Sequence, residues 1–497
     1  LRFSEKTNHA KPCQTDRIHA LLEPKTIAII GISEKSQNPG RIILQNILRE
    51  NFPDENIRII HPKSEKIDCV SCVSKFSELP WKTDLLVVAV SAQQVPEILE
   101  NAIENAVVKS VILIPGGIGE TENGKSIHSA LRALLEKNPR NRLAIVGPNC
   151  LGIRSLPGKY DTLFIPEMKL PKPEGEIADS ALICQSGAFM ITRMNALPFF
   201  NPKYAITTGN QMDLSVTDFV EFLLEKDDVR SFFIYLEGFD NLDGLRLAKL
   251  AGKAKRKNFF IYKAGRTAAG ATATSSHTAS IAGDYVSVSA ALRQSGVLVT
   301  ENFSEFKNLI RMDNLLDGKK FSGKKLGIIS NAGYEVVGMA DRIDFGFEIA
   351  KLHSETEKEV FQTLKENRIE SLITIQNPLD LTPMANEAVY LNVMNAFLDD
   401  ENVDALIVGL VPLTPAIKTL PKSSESLRLD DFSSKSALPF QLRQSLIRSQ
   451  KPVVFVVDGG KLYDDFAEAI EKSGFPCFRD ADVAIQIFQK YLDYRIS

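Results

Sequence analysis

The amino-acid sequence predicts an α/β protein built on parallel, doubly wound sheets. Three observations carry that prediction. Short apolar runs rich in β-branched and aromatic residues recur at α/β spacing, with helical stretches between them. Several of these runs end in a Gly, Ser or Asn turn that opens directly onto a helix. The length of 497 residues fits about three domains.

The first unit opens with TIAIIGISEKSQNPGRIILQNILRE, Thr26 to Glu50. A buried strand ends at Gly31, a polar turn follows, and a helix begins near Gly40. Strand, glycine turn and helix start form an anion cradle, because free N–H groups and the helix dipole face the ligand. The turn is not a full GxGxxG. The next strand, Ile57 to His61, is followed by Pro62 and Lys63, where a dinucleotide site wants an acidic residue for the ribose. A lysine suits a phosphorylated nucleotide such as coenzyme A better than NAD, and a solvated turn lysine is an equally open reading. Strands at Asp84–Ser91, Ser110–Gly117 and Arg142–Cys150 continue the alternation, with helices at Val95–Ala106 and Gly124–Lys137. Ligands of such sheets sit at the strands' carboxyl ends, where Gly116, Gly117, Gly147, Pro148 and Asn149 fall. The first domain is read as residues 20–150.

A proline-rich connector, Leu170–Glu176, leads to a second unit, read as residues 151–316. Ser180–Phe189 is again strand, small-residue turn and helix, with Ser186, Gly187 and Ala188 at the helix start. Strands follow at Tyr204–Asp213, Arg230–Asp240 and Asn258–Tyr262. Glu237 stands where the second of these meets its loop and can orient an imidazole. After the third comes KAGRTAAGATATSSHTASIAG, Lys263 to Gly283. Its small residues predict a mobile loop carrying His277; a solvated surface histidine is the plain alternative. Extended, Gly265 to Ser276 spans up to about 40 Å. Glu237 and His277 then share one sheet edge.

A third unit, residues 322–497, follows the polar linker Asp317–Lys325. Leu326–Asp341 repeats the pattern, with Asn331, Ala332 and Gly333 as its turn. Asn377–Leu381, Val403–Leu413 and Lys451–Gly460 continue it. The Ser-, Lys- and Asp-rich stretch Lys418–Ala437 reads as an exposed insertion. No P-loop is present.

Composition is that of a globular protein, 44% apolar and 24% charged. A net charge of −3 gives no electrostatic case for nucleic acid or an anionic membrane. No apolar run reaches the roughly 20 residues that span a bilayer. The polar start, LRFSEKTNHAKPCQTD, lacks the apolar core of a secretory signal. Six cysteines in so long a sequence form no disulfide framework. Cys69 and Cys72 form a CxxC without a second pair or a nearby histidine, so no metal site is read. These features imply a cytoplasmic, reduced protein.

In their order, the motifs resemble those of the α subunit, or α-type region, of the NDP-forming acyl-CoA synthetases, relatives of succinyl-CoA synthetase. They are GIS at Gly31–Ser33, HPK at His61–Lys63, GPNCLG at Gly147–Gly152, QSGA at Gln185–Ala188 and TGNQMD at Thr208–Asp213. YLEG at Tyr235–Gly238, SSHTAS at Ser275–Ser280 and NPLD at Asn377–Asp380 complete the set. The resemblance implies a CoA-binding Rossmann-like domain followed by two flavodoxin-like domains. It implies the reversible reaction of acyl-CoA, phosphate and ADP to a small carboxylic acid, CoA and ATP. By that resemblance His277 becomes phosphorylated from an acyl phosphate, Glu237 aligns it, and Gly31, Ser33, Pro62, Lys63, Val90, Ile114 and Asn149 line the CoA site. Two helix starts, at Ser186, Gly187 and Ala188 and at Asn331, Ala332 and Gly333, would hold the phosphoryl group. The resemblance also implies an oligomer and an ATP-grasp β subunit or region that binds Mg-ADP or ATP, since no such region is readable here. The sequence departs from the family in Ala279, where glycine is usual, and in Asn331-Ala332-Gly333, where a glycine pair is common. A CoA-binding regulatory protein on the same scaffold is the alternative. An NAD-dependent oxidoreductase is the third reading, disfavoured by Pro62 and Lys63.

Overall fold

The structure, a computed structural model, describes residues 15–239, 242–277, 285–422, 430–445 and 449–497. They fall into two compact units, Leu1–Phe306 and Lys307–Ser497.

The first unit holds two sheets. In the first, β1 (Ile27–Ile30), β2 (Ile57–Ile60), β3 (Lys66–Ile67), β4 (Val70–Val73), β5 (Thr83–Val88), β6 (Val108–Leu113) and β7 (Ala144–Val146) lie in the order β3-β4-β2-β1-β5-β6-β7. Only β3 runs antiparallel to its neighbour. From β4 to β7 this is the doubly wound order of dinucleotide-type folds, with its switch point between β1 and β5. The central strands carry near-continuous apolar runs, such as Ile27–Ile30 and Leu85–Val88, because both faces are covered. Ile27, Ile29, Leu85 and Val87 point into one core, and Ala28, Leu86 and Val88 into another. The hairpin of β3 and β4 was not legible in the sequence: Asp68 turns it at φ 50° and Arg41 ties it down by a 2.6 Å ion pair to Asp68. Cys69 and Cys72 lie on this hairpin as free thiols.

The second sheet contains β8 (Ile153–Ser155), β9 (Tyr160–Asp161), β10 (Ile177–Cys184), β11 (Asn201–Thr207), β12 (Ser231–Leu236), β13 (Asn258–Lys263) and β14 (Leu298–Thr300). Its order is β14-β13-β12-β10-β11-β8-β9, with a flavodoxin-like parallel core and β8 antiparallel to β11. The aromatic strands pair in register, so rings stack: Phe232 on Phe259 at 4.9 Å, Phe233 on Phe260 at 5.1 Å and Tyr235 on Tyr262 at 5.7 Å. Each such pair contributes about 0.5–1.5 kcal/mol beyond its buried area. One apolar core runs from the first sheet into this one, from Ile27 and Val146 to Ile183, Ile234 and Ile261.

The second unit contains β15 (Lys325–Ser330), β16 (Glu348–Ile349), β17 (Leu379–Asp380), β18 (Ala405–Leu410), β19 (Val453–Val457) and β20 (Cys477–Phe478). The order β16-β15-β18-β19-β20 is again flavodoxin-like, with β17 beside the end of β15.

Two expectations need correction. The Lys263–Gly283 stretch is not one mobile loop, because Ala268–His277 is a helix. Alanine is the strongest helix former, and Thr267 starts the helix by accepting from the Gly270 N–H at 3.1 Å. Ten helical residues span about 15 Å, well short of the extended reach. Residues 278–283, with Ala279, lie outside the described residues. The Lys418–Ala437 stretch is not simply exposed either: Thr419 and Ala437 are buried. The Asp430 carboxylate accepts from the Thr419 N–H at 2.6 Å, and residues 423–429 lie outside the description.

Candidate active site

The seven residues assigned to CoA all fall at the carboxyl edge of the first sheet. Gly31 follows β1 at φ 100°, and a Cβ there would lie 2.3 Å from the Ala89 carbonyl oxygen, so only glycine fits. Val90 follows Ala89 after β5, which brings Gly31 and Val90 together at the switch point. Asn38 closes the Gly31–Ser33 turn. Its amide donates to the Gly31 carbonyl at 2.7 Å, and its oxygen accepts from the Ser33 and Arg41 N–H groups. It thereby caps the helix Pro39–Arg49. Pro62 and Lys63 follow β2 and are exposed, Ile114 follows β6 and is buried, and Asn149 follows β7. Asn149 has φ 58°, and its amide donates to Glu120 at 2.8 Å.

The edges of the two sheets in this unit are joined by two of the sequence motifs. Within Thr208–Asp213, the Asn210 and Met212 N–H groups donate to the carbonyls of Pro148 and Gly147. The buried Asp213 carboxylate accepts from Arg142 at 2.5 Å and from the Ile145 N–H at 3.0 Å. Gly209 has φ 55° and its Cα approaches the same turn so closely that a Cβ would meet the Pro148 oxygen at 2.3 Å. The backbone of Asn149–Gly152 then crosses to the second sheet, where the Gly152 N–H donates to Thr207 at 2.9 Å.

That crossing ends against the second cradle. A Cβ on Gly187 would lie 2.5 Å from the Cβ of Leu151, so glycine lets the helix Gly187–Ala196 seat its N-terminus on the crossing segment. Ser186 caps this helix, its hydroxyl accepting from the Phe189 N–H at 3.3 Å. Ala188 is exposed in the first turn.

Glu237 follows β12 on the same edge and is held from three sides. The buried Gln185 side chain accepts from the Glu237 and Gly238 N–H groups and donates to the Gly238 carbonyl at 3.0 Å. The Tyr235 hydroxyl donates to the Glu237 carboxylate at 3.1 Å. Burial, and then Glu237, push the Tyr235 phenol well up, so it stays protonated and donating. Lys263 donates to the Glu237 carbonyl at 2.9 Å and the Ala264 carbonyl at 2.7 Å. His277 ends the helix that follows β13, and its side chain lies outside the described set. Gln185, Tyr235 and Lys263 were not picked out from the sequence as site residues. Their signal was available, since each is a polar group inside or at the end of an apolar strand.

The third cradle, in the second unit, has a different character. The Asn331 side chain is committed to β18, exchanging bonds with the Val411 backbone at 2.9 and 3.0 Å. Ala332 occupies the N-cap of the helix Gly333–Ala340 without a side-chain cap. A Cβ on Gly333 would lie 3.0 Å from an Asp380 carboxylate oxygen. Tyr334 donates to Asp458 at 2.7 Å. Glu335, 1% exposed, accepts from Ser330 at 2.5 Å through one oxygen, while the other has no partner among the described residues. Burial pushes its carboxyl up to about 7.

Among the described residues no helix is long and apolar enough to cross a membrane. Residues 25–155 match a CoA binding domain, and residues 177–312 match a succinyl-CoA ligase like flavodoxin domain. The protein is 29% identical over 469 residues to the ADP-forming acetate–CoA ligase II subunit alpha of Pyrococcus furiosus, covering 93% of this sequence and 94% of that one. It is 28% identical to the ADP-forming acetate–CoA ligase I of Archaeoglobus fulgidus, matching 95% of this sequence but only 63% of the relative's length. Its fold matches a dinucleotide-forming acetyl-coenzyme A synthetase 1 of Candidatus Korarchaeum cryptofilum, solved with phosphate and ADP. That match has a TM-score of 0.79 at 23% identity and covers 96% of this protein and 97% of that one. In sequence and in fold, over nearly its whole length, the protein resembles the alpha subunit or alpha-type region of the ADP-forming acyl-CoA synthetases.

Proposed function

We propose that this protein is the alpha part of an ADP-forming acyl-CoA synthetase, which converts acyl-CoA, phosphate and ADP to a carboxylate, CoA and ATP. The observation that carries the reading is the continuity of the Gly31–Asn149 edge, the Ser186 cradle and the clamped Glu237 within one compact unit. CoA lies along the first edge, against Gly31, Ser33, Pro62, Lys63, Val90, Ile114 and Asn149. A phosphate oxygen attacks the thioester carbon and the thiolate leaves, taking a proton to give CoA and an acyl phosphate. The free N–H groups and dipole at Ser186, Gly187 and Ala188 favour the phosphoryl charge. An imidazole nitrogen of His277 then attacks phosphorus as the bond to the carboxylate oxygen breaks, and the electron pair departs with the carboxylate. Glu237 stabilises the resulting imidazolium. The helix start at Asn331, Ala332 and Gly333 takes part at the phosphohistidine stage.

Transfer from His277 to Mg-ADP belongs to an ATP-grasp subunit or region, and the working enzyme is a cytoplasmic oligomer. The match spans 63% of the longer Archaeoglobus fulgidus relative but 94% of the Pyrococcus furiosus alpha subunit, which supports that division. The test is phosphorylation of the full-length protein with acetyl phosphate. Wild type should give an acid-labile phosphoenzyme that His277→Ala abolishes while CoA affinity stays within a few-fold. Full labelling of His277→Ala at another residue, or sustained ATP formation from Mg-ADP by this protein alone, would overturn the reading.

A further inference from the structure

Lys263 ends β13 and is 1% exposed, the one lysine among the described residues with so little access to water. It belongs to the strand whose last residue pairs with Leu236, immediately before Glu237. Its ammonium rests on two backbone oxygens, those of Glu237 and Ala264, and makes no ion pair with a carboxylate among the described residues. A buried cation held by carbonyl dipoles alone is costly, and a neutral donor would staple the same two carbonyls at less expense. A charge is retained here, beside the one carboxylate the proposed chemistry uses.

We propose that Lys263 is a positioning residue for the histidine phosphorylation: it fixes the peptide that carries Glu237 and offsets the negative charge that gathers at this sheet edge. The inference rests on the function proposed above. It explains why Glu237 is clamped on its N–H side by neutral Gln185 but on its carbonyl side by a cation. An arriving phosphoryl dianion would otherwise sit beside Glu237 as like charge beside like charge.

The proposal makes the reaction sensitive to alkali. Burial lowers the Lys263 ammonium to about 8, with Glu237 opposing. Other titratable or charged groups on the described adjoining segments are Tyr235, Tyr262 and Cys184, all pushed up by burial, together with Tyr285 and Arg266. Lys263, bonded to the Glu237 carbonyl, is the group whose charge the proposal ties to pH near 8.

The test measures the rate of phosphoenzyme formation from acetyl phosphate across pH 8, in the full-length wild type, Lys263→Met and Lys263→Gln. The wild-type rate should fall above pH about 8. Both variants should be slower by about 10–100-fold, the range for groups that orient a reacting partner, and should lack that alkaline limb. Unchanged CoA affinity would show that they are folded. A Lys263→Met protein with the wild-type rate and limb would overturn the inference. Should that variant fail to fold, a wild-type rate that stays flat through pH 8 would overturn it as well. A wild type that never labels on His277 contradicts the proposed function instead, so the two failures are distinguishable.

Discussion

The cradles at Ser186 and Asn331 are alike in sequence and unlike in chemistry. Each is a buried parallel strand, a turn of small residues and a helix. At Ser186 the N-cap hydroxyl closes the helix start, and the neighbouring Glu237 is held at its carboxylate by Tyr235 and at its backbone by Gln185 and Lys263. At Asn331 the turn side chain is spent on Val411 and the N-cap has no side-chain bond. Asp380 and Glu335 stand close by. Both helices offer a positive end, but beside the first stands Glu237, whose carboxylate accepts from Tyr235, whereas beside the second stand Asp380 and the buried Glu335, one oxygen of which has no partner among the described residues. A helix dipole contributes about 0.3–1 kcal/mol at an exposed terminus, so the surrounding charges decide how strongly each cradle holds an anion. The comparison teaches that the strand–turn–helix pattern marks where an anion can sit, while residues distant in sequence decide how well.

The largest expected effect breaks the comparison at its stronger member. Glu237→Gln keeps shape and hydrogen bonding but removes the charge that, in the proposed function, stabilises an imidazolium. Phosphoenzyme formation should slow by about 10²–10⁴-fold, the size typical of a positioned proton-handling group. Stopped-flow or quench measurement with acetyl phosphate reads it directly. A variant matching wild type would leave Glu237 a structural carboxylate, and the asymmetry between the cradles would lose its functional meaning.

The next effect concerns the weaker member. Glu335 has a carboxyl raised from 4.5 to about 7 by burial. The folded protein therefore binds this proton more tightly than the unfolded one. Stability from this group is complete below pH 4.5 and is lost as pH rises through about 7. A shift of that size corresponds to about 3 kcal/mol. Glu335→Gln should thus match wild type near pH 4.5 and be more stable at pH 8, by about 3 kcal/mol at most. Calorimetry at the two pH values checks this. An equal difference at both would show that the Glu335 carboxyl titrates in the folded protein as it does in the unfolded one.

How much of this was legible in the sequence follows from range. The β-branched runs and their glycine ends depend on near neighbours, so the three parallel sheets and the edge positions of Gly31, Ser186 and Asn331 could be read. The Rossmann-like and flavodoxin-like fold types came through the motif resemblance. The hairpin at Lys66–Val73 escaped because its strands are only two and four residues long, with Arg41 supplying the tie from 27 residues away. The helix Ala268–His277 escaped because small residues were weighed as loop formers, although alanine in number favours helix. Lys263 and Gln185 were within quoted motifs, yet their roles needed the pairing of β10, β12 and β13. Asp380 beside Gly333 joins positions far apart in sequence, and no local pattern announces it.

The smallest effects sharpen the comparison by exchanging one feature between the cradles. Ser186→Ala removes the hydroxyl that accepts from Phe189 and should cost about 1 kcal/mol. Ala332→Ser offers the same cap where none exists. The backbone suits it, since Ala332 is extended at φ −144° and ψ 123°, as Ser186 is at φ −96° and ψ 122°. Position 335 would then stand three residues after a serine, but the Glu335 carboxyl is turned to Ser330 and cannot complete a capping box. The gain should therefore stay at or below about 1 kcal/mol, or about 2–4 °C in Tm for a unit of this size. The rate of phosphoenzyme formation separates folding from function. If the Ser186 cradle holds the transferring phosphoryl group, Ser186→Ala should slow labelling of His277 at temperatures where the variant is fully folded. Ala332→Ser should raise Tm and leave that rate unchanged, because in the proposed sequence acetyl phosphate meets His277 at the first cradle. A slowed Ala332→Ser and an unaffected Ser186→Ala would reverse the assignment of the two cradles.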